Sequence, residues 1–298
     1  MKILLTGAAG QVGGALLPLL QARADVVAPT REEFDLSRPA ELAEKLNRIK
    51  PDLIINPAAY TAVDRAEDER ELAFRVNAES PKAVAQWAAR RHVPLVHFST
   101  DYVFDGSGDR PWREDSRPRP LSVYGESKLA GDEGIAEAGG PHLIARTSWV
   151  YAATGANFLK TIVRLAGERE QLRIVADQIG APTSAFAIVQ AVVAMLPRSE
   201  EDTRRMFEER GGVVNLVCDG ETSWHGFATA IVSGLQSRGA KFAVKEIVPI
   251  GSGEFPVKAT RPSNSRLDLT RLRERFDIAM PTWEQALDRE LDTLKVTI

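Results

Sequence analysis

The stretch KILLTGAAGQVGGALLPLLQ, residues 2–21, reads as a short apolar strand, a glycine-rich turn and a helix. Gly7, Gly10 and Gly13 would let the backbone turn tightly and approach a pyrophosphate, whose charge would lie at the helix N-terminus. The spacing is GxxGxxG rather than GxGxxG, and the alternative is a tight turn without a ligand. Because a strand precedes the glycines and a helix follows them, we favour a dinucleotide site at the start of an α/β fold.

Strand-like and helix-like segments alternate through the first half of the chain. This rhythm is typical of parallel βαβ units with right-handed crossovers. We therefore predict an α/β fold with a Rossmann-type doubly wound parallel sheet and a smaller C-terminal substrate-binding lobe. Residues 1–150 would form mainly the NAD(P)-binding domain, to which later segments return, and residues 151–298 mainly the lobe. The apolar runs lie at 26–30, 52–59, 94–98 and 142–147, and helical patterns lie at 38–49, 68–91 and from 124 onward.

Composition and charge exclude several classes of function. The 298 residues include 38 basic and 41 acidic side chains, a near balance that predicts no nucleic-acid and no membrane partner. No apolar run approaches the roughly 20 residues that span a bilayer, and Met1 leads into the first strand without a signal-peptide pattern. The single cysteine, Cys218, forms no intrachain disulfide, and the four histidines show no metal-ligand spacing. We expect a cytoplasmic protein.

Two segments, STDYVFDG at 99–106 and YGESKLAG at 124–131, supply the candidate catalytic residues. Tyr124 and Lys128 are four apart, so on a helix they project from one face, and the ammonium is expected to lower the pKa of the phenol. Thr100, at the end of a strand, would meet them across the ligand crevice of an open sheet. Together they predict a carbonyl-reduction site. The alternative is a surface Tyr–Lys pair, since YxxxK is common, but the dinucleotide features favour the site.

Charged residues after the second strand bear on the choice of cofactor. An acidic residue there binds the 2′-hydroxyl of NAD, whereas an arginine suits the 2′-phosphate of NADP. Arg31 comes first, with Glu32 and Glu33 close behind, so we predict NADPH and leave the use of NADH open. Asp35 and Leu36 then begin a turn that would lie along the adenine edge.

Small and aromatic residues mark two other strand ends. Ala58 and Ala59 would let a dinucleotide pass close to the backbone, and Tyr60 and Thr61 continue a loop that faces the same crevice. Trp149 follows the strand at 142–147. Its indole either stacks on a flat ring of a ligand or packs in the core, and the sequence favours neither.

With these residues in view, the sequence resembles the extended short-chain dehydrogenase/reductases, and among them the dTDP-4-dehydrorhamnose reductase family. The resemblance covers essentially the whole chain. Two of its segments mark the superfamily, TGAAGQVG at 6–13 and YGESKLAG at 124–131. The segments more specific to the family include STDYVFDG at 99–106, RTSWVY at 146–151 and DQIGAPT at 177–183, with AYTAVDRAE at 59–67 and RPSNSRLD at 261–268 in support.

The resemblance implies an activity and a role for each site residue. The activity is NAD(P)H-dependent reduction of the 4-keto group of dTDP-4-dehydro-β-L-rhamnose to dTDP-L-rhamnose. Tyr124 would be the proton donor, Lys128 would hold the nicotinamide ribose, and Thr100 would orient the carbonyl. The implied contacts are Gly10, Gln11 and Val12 with the pyrophosphate, Asp35 and Leu36 with the adenine side, Ala59, Tyr60 and Thr61 with the middle of the dinucleotide, Thr100 and Asp101 with the sugar, Trp149 with the sugar nucleotide, and Arg261 and Asn264 near its diphosphate.

The sequence departs from the family at one reported feature, and other assignments stay open. Some members bind magnesium between subunits through glutamates, whereas the matching stretches here, 13–15 and 183–186, contain no acidic residue. We therefore predict no metal there and leave the oligomeric state open, a homodimer included. One alternative function is another nucleotide-sugar 4-ketoreductase or an epimerase. A second is a non-catalytic regulatory subunit of the methionine adenosyltransferase type, against which the intact Thr100, Tyr124 and Lys128 argue.

Overall fold

A computed structural model describes residues 1–294, in which strands and helices alternate along the chain. The strands pair mostly in parallel, as the alternation predicts. In chain order they are β1 (Lys2–Leu5), β2 (Asp25–Val27), β3 (Leu53–Asn56), β4 (Leu95–Thr100), β5 (His142–Thr147), β6 (Val150–Tyr151), β7 (Gln171–Val175), β8 (Ile179–Gly180), β9 (Thr183–Ser184), β10 (Gly212–Asn215), β11 (Thr222–Ser223), β12 (Glu246–Ile250) and β13 (Asn264–Ser265).

The main sheet has six parallel strands in the order β10-β5-β4-β3-β1-β2. The chain passes from β1 to β2 on one side and then to β3 on the other, so the direction of winding reverses between β1 and β3. In open α/β sheets, ligands bind beside such a switch point at the carboxyl ends of the strands. The predicted doubly wound parallel sheet is confirmed, and the crevice lies next to the glycine turn.

Helices cover both faces of this sheet. Helices α2, α5 and α6 contribute to one apolar layer, and α1 and α8 contribute to the other. The helices are α1 (Gln11–Gln21), α2 (Pro39–Ile49), α3 (Val63–Ala66), α4 (Arg70–Phe74), α5 (Ser80–Ala89), α6 (Val123–Ala138), α7 (Phe158–Glu168), α8 (Ala185–Met195), α9 (Glu200–Arg210), α10 (Trp224–Ser237), α11 (Thr270–Phe276) and α12 (Trp283–Thr293).

Alternate side chains of each strand enter opposite layers. In β1, Leu4 packs toward α2, α5 and α6, whereas Ile3 and Leu5 pack toward α1 and α8. Ile54 in β3 repeats the position of Leu4, as expected for a period of two residues. Because both faces are buried, the strands read as continuous apolar runs rather than as alternating ones.

Two strands that end at the crevice are shorter than the sequence indicated. β2 ends at Val27 rather than at residue 30, and β3 ends at Asn56 rather than at residue 59. Pro57 accounts for the second difference, because proline has no N–H to continue a ladder. The backbone at 57–61 is therefore an irregular loop beside the switch point.

The helical region expected at 68–91 is interrupted. After α4, the residues Arg75–Glu79 form a π-helical turn, and α5 begins directly behind it. Gly131 of α6 packs against this turn so closely that a Cβ would lie 2.1 Å from the carbonyl oxygen of Asn77. Single π-turns within helices are frequent at functional sites.

Segments after residue 150 divide between the main sheet and a smaller part of the molecule. β10 joins the main sheet beside β5, and α8 packs on α1. Three small sheets, β11-β8-β13, β12-β7 and β6-β9, lie apart from it. Thr282 and Gln285 form the capping box that starts α12. Within residues 1–294, no helix has the length and apolar character to cross a membrane.

Candidate active site

Helix α6 carries both Tyr124 and Lys128 and has a well-defined start. The hydroxyl of Ser122 accepts a hydrogen bond from Gly125 N at 3.2 Å and so caps the helix. Gly125 is required at this position because a Cβ would lie 2.3 Å from the carbonyl oxygen of Tyr102. This close approach joins the first turn of α6 to the turn that follows β4.

Thr100 is the last residue of β4, and its hydroxyl is hydrogen-bonded on two sides. It accepts from Tyr102 N at 3.2 Å and donates to Asp101 Oδ1 at 3.1 Å. The second carboxylate oxygen, Asp101 Oδ2, is buried and has no partner among the described residues. Burial raises the pKa of Asp101 to about 6, against the hydrogen bonds from Ser265 and Thr100. A buried oxygen without a partner is an acceptor that a ligand hydroxyl can satisfy.

The expected lowering of the Tyr124 pKa by lysine is wrong for this structure. Burial is the largest influence and raises the pKa of the phenol, the hydrogen bond with Thr100 acts in the opposite direction, and the carboxylates of Asp101 and Asp132 raise it further. Lys128 does not approach the phenol, because its amino group points toward the sheet. These influences favour the protonated phenol of Tyr124.

Lys128 is buried, with its polar partners on β4. Its Nζ lies 2.9 Å from His97 Nε2 and donates to the carbonyl oxygen of Phe98 at 2.6 Å. Burial lowers the pKa of Lys128 to about 8, and the charge of Asp132 opposes this shift. The sequence analysis missed His97, since a single histidine has no informative spacing. The available signal was a polar residue inside an otherwise apolar strand.

The glycine turn lies at the switch point and is shaped for close approach. Gly7 has a φ of +59°, and a Cβ there would lie 3.0 Å from Ala58. A Cβ on Gly13 would lie 2.1 Å from the carbonyl oxygen of Gly7. Gly10 precedes α1, whose N-terminus has no side-chain cap, so the N–H groups of the first turn, before Gly14, face an anion without a competing side chain. These residues fit the pyrophosphate of a dinucleotide.

Arg31 is the first charged residue in sequence after β2, and its side chain is exposed. Glu33 lies close in sequence, but its carboxylate accepts from Thr30 N at 2.8 Å and closes the turn. Asp35 accepts from Ser37 N at 2.8 Å. Burial acts to raise the pKa of Asp35. The hydrogen bonds from Ser37 and the charge of Arg31 outweigh burial, so the pKa of Asp35 is lowered. Both carboxylates thus have partners within the turn.

The loop after β3 is held by Asn77, to which the sequence analysis gave no role. Its Oδ1 accepts from Tyr60 N at 2.8 Å, and its Nδ2 lies 3.0 Å from both Tyr60 O and Ser127 Oγ. The Tyr60 hydroxyl donates to Glu69 at 2.7 Å. Asn77 therefore connects the loop at 58–61 to α6. It contacts α6 at Ser127, the residue before Lys128.

Trp149 follows β5 and stacks on a second tryptophan. The rings of Trp149 and Trp224 are 3.7 Å apart between centroids, with an interplanar angle of 14°. Trp149 has a φ of +49°, in the left-handed region, and Trp224 Nε1 donates to Gln178 at 3.1 Å. Trp224 therefore covers one face of the Trp149 indole, and Gly180 also lies against the ring, since a Cβ there would be 2.9 Å from it.

A cavity of about 470 Å³ lies beside the tryptophan pair. Phe158 and Trp224 form an aromatic wall, and Arg173, which pairs with Glu254, and Arg261 also line the space. Arg261 Nη2 binds Asp64 at 2.8 Å, whereas its Nε is buried and has no partner among the described residues. Aromatic surface with a few placed cations is typical of a site for a nucleotide.

Asn264 is the last of the predicted site residues. Asn264 is buried, its Nδ2 donates to the carbonyl oxygen of Arg110 at 2.8 Å, and its Oδ1 accepts from Arg266 N at 3.2 Å. Its amide thus supports the loop before α6.

In the part of the chain that the structure describes, no group of three His, Cys, Asp or Glu side chains is placed so that it could bind a metal ion.

A tyrosine whose protonated form is favoured, beside a threonine hydroxyl at the end of a central strand, suits protonation of a carbonyl oxygen during reduction. The glycine turn at the switch point offers the dinucleotide site that such a reduction needs. The fold and the site together define an oxidoreductase of the extended short-chain dehydrogenase/reductase class.

Comparison with known proteins narrows this class. The family model described as RmlD substrate binding domain matches residues 1–296. A dTDP-4-dehydrorhamnose reductase of Burkholderia thailandensis is 46% identical over 289 residues, which cover 96% of this chain and 97% of the relative. A crystal structure of the Bacillus anthracis reductase in complex with NADP superposes with a TM-score of 0.88 at 33% identity, covering 98% and 99% of the two chains. The chain belongs to the dTDP-4-dehydrorhamnose reductase family.

Proposed function

We propose that the protein reduces the 4-keto group of dTDP-4-dehydro-β-L-rhamnose to dTDP-L-rhamnose, with NADPH as the reductant. The observation that carries this proposal is the grouping of Tyr124 and Lys128 on the first turns of α6 beside Thr100 at the end of β4, next to the glycine turn. The full-length similarity to reductases of this name supports the substrate, and the NADP complex of the Bacillus anthracis relative supports the cofactor.

Thr100, Tyr124 and Lys128 would each have a separate role in the reduction. Bound NADPH supplies a hydride to the carbonyl carbon. Thr100 orients the carbonyl oxygen, and Tyr124 donates its proton to that oxygen as negative charge develops there. Burial lowers the pKa of Lys128 to about 8, which favours the ammonium at neutral pH, and this charge would bind the nicotinamide ribose.

We place the sugar nucleotide between β4 and the cavity beside the tryptophan pair. The unpaired Oδ2 of Asp101 would accept a sugar hydroxyl, and Trp149, whose ring is held by Trp224, would line the sugar-nucleotide site. Arg261, with an unpaired buried Nε, and Arg173 would bind the diphosphate. On this assignment the segments after residue 150, apart from β10 and α8, form mainly the substrate-binding lobe.

We expect Arg31→Ala to reduce the preference for NADPH over NADH. A charge-assisted contact of about 1.5–3 kcal/mol with the 2′-phosphate corresponds to a preference of about 10- to 100-fold. The variant should lose most of this factor, chiefly through a higher KM for NADPH. Steady-state kinetics with both cofactors measure the ratio.

Arg38→Ala is the matched control for this prediction. Arg38 also acts on Asp35, but it pairs with Glu41 at 3.3 Å on the first turn of α2. It should leave the cofactor ratio unchanged. An Arg31 variant with the wild-type ratio would show that this guanidinium does not bind the 2′-phosphate.

The whole proposal is tested by NADPH oxidation with dTDP-4-dehydrorhamnose, made in situ from dTDP-glucose by the upstream enzymes. We expect stoichiometric NADPH consumption and dTDP-L-rhamnose as the product. A product with the other configuration at C4 would indicate a different 4-ketoreductase. Interconversion of sugars without net NADPH consumption would indicate an epimerase and contradict the proposal.

A further inference from the structure

Three buried polar side chains lie side by side on neighbouring strands: Thr6 directly after β1, Asn56 at the end of β3 and His97 in the middle of β4. Asn56 is the register partner of His97, and Thr6 directly follows Leu5, which is paired with Ile55. Alternation along the strands turns Thr6, Asn56 and His97 toward the layer that contains α6. Their exposed fractions are 4%, 2% and 1%. The register of the sheet thus aligns three polar groups in an interior that is otherwise apolar.

Hydrogen bonds extend this row to Lys128. Thr6 Oγ1 lies 2.5 Å from Asn56 Oδ1, Asn56 Nδ2 lies 3.1 Å from His97 Nδ1, and His97 Nε2 lies 2.9 Å from Lys128 Nζ. We call these four residues the lysine chain. The chemistry assigned above uses Lys128 but none of the other three. Burying a polar group costs free energy unless the group has a hydrogen-bond partner. The buried lysine chain therefore calls for a functional explanation.

The lysine chain has two complete proton arrangements. When Lys128 is a neutral amine, Thr6 Oγ1 donates to the amide oxygen of Asn56, the amide NH₂ donates to His97 Nδ1, and His97 Nε2–H donates to the amine, with the amide oriented as the structure shows it. When Lys128 is an ammonium, each bond reverses and the amide of Asn56 turns over. Burial and the charge of Lys128 hold the pKa of His97 well below its usual range, so His97 is neutral in both arrangements.

The other charges around Lys128 are few and balanced. Asp132, one turn further along α6, favours the ammonium. Arg146 from β5 pairs with Asp132 at 3.4 Å. Burial favours the protonated phenol of Tyr124, one turn earlier, and the π-helical turn presents the neutral Asn77 to this side of α6. From the sheet, the amino group is contacted by the carbonyl oxygen of Phe98 and by His97, and His97 is the side chain of the two.

We propose that Asn56 and His97 are positioning residues for Lys128, which fix where its amino group lies and set the pH at which it loses its proton. The inference rests on the proposed role of Lys128 in the reaction. Neither residue needs to touch substrate or cofactor. His97 acts on Lys128 through a direct hydrogen bond, and Asn56 acts through its hydrogen bond with His97. Thr6 ends the chain next to Gly7, so the chain also links the glycine turn to α6.

The direct test is an NMR titration of Lys128 in the free protein, with lysine labelled with ¹³C at Cε. His97→Phe keeps a planar ring but removes the acceptor, so we expect the pKa of Lys128 to fall by about one pH unit. His97→Gln places an amide oxygen near the position of Nε2 and should restore most of the shift. Asn56→Leu leaves His97 without its orienting partner and should lower the pKa by less than His97→Phe does.

A kinetic readout should follow the titration. The pH profile of kcat/KM reports groups of the free enzyme, so its alkaline limb should move to lower pH in His97→Phe and return in His97→Gln. Lys128→Met identifies the NMR signal and tests the role of the lysine itself.

The possible outcomes separate this inference from the proposed function. An unmoved Lys128 titration in a folded His97→Phe protein would overturn the inference, and so would equal shifts in His97→Phe and His97→Gln, which altered packing alone would produce. If His97→Phe does not fold, an unmoved titration in Asn56→Leu overturns it instead. Wild-type turnover in Lys128→Met would remove the lysine from the reaction and contradict the role proposed for it, whereas absence of turnover in the wild-type protein would contradict the proposed function. Lost turnover in Lys128→Met with an unmoved titration in His97→Phe would refute the lysine chain alone.

Discussion

Tyr124→Phe is expected to lower kcat by about 10²–10⁴-fold, the usual contribution of a general acid. The variant keeps the ring and its edge-on packing with Tyr102, whose centroid lies 5.4 Å away at an interplanar angle of 78°. It removes the hydroxyl whose pKa burial raises. Because the fold and the glycine turn are unchanged, the affinity for NADPH should stay close to the wild-type value. Steady-state kinetics and fluorescence titration with NADPH measure the two quantities.

Tyr102→Phe is the matched control, because it deletes a second hydroxyl from the same aromatic pair. The Tyr102 backbone, which donates to Thr100, is untouched by this change. We expect Tyr102→Phe to retain most of the activity. Comparable turnover in the two variants, or a Tyr124→Phe enzyme with wild-type kcat, would exclude Tyr124 as the proton donor.

Asp132→Asn is expected to lower the free energy of unfolding by about 3–5 kcal/mol, the cost of leaving one partner of a buried ion pair uncompensated. Asp132 Oδ2 lies 3.4 Å from Arg146 Nε and accepts from Ser99 Oγ at 2.7 Å. The side chains of Asp132 and Arg146 are each 4% exposed. The amide can still bond Ser99, but the guanidinium then keeps its charge in the interior. Urea denaturation measures the difference.

Glu137→Gln on the same helix is the control for Asp132→Asn. Glu137 pairs with Lys82 at 2.9 Å, but both side chains are largely exposed. Ion pairs of this kind contribute about 0–1 kcal/mol, so the control should unfold near the wild-type midpoint. An Asp132→Asn protein as stable as the Glu137→Gln protein would show that burial does not make this pair costly to break.

Local patterns in the sequence predicted the frame of this protein. The glycine turn before α1, the shared helix of Tyr124 and Lys128, and the capping box of Thr282 each depend on residues within a few positions of one another. Spacings of this kind set distances directly, since the helix and strand periods are constant. Apolar runs likewise predicted the strands of a parallel sheet that is buried on both faces.

The sequence also marked the polar exceptions inside those strands, but it did not indicate their partners. Asn56 and His97 stand in apolar runs and are in contact because β3 and β4 are in register. The pairing of Arg146 with Asp132 likewise depends on how β5 packs against α6. Neither relation has a local period, and both are fixed by the order and register of strands that are distant in sequence.

Tertiary structure alone decided the direction of the pKa shifts and the partners of the cations. Lys128 is four positions from Tyr124, yet its amino group binds His97, 31 positions away, and Arg261 binds Asp64 across 197 positions. Helical spacing places two Cβ atoms on one face, whereas a pKa depends on burial and on every charge that the fold brings near. The sequence by itself therefore determined the dinucleotide fold and the candidate proton donor. The packing of α6 on the sheet decided that burial raises the pKa of the phenol and that the lysine is held from β4.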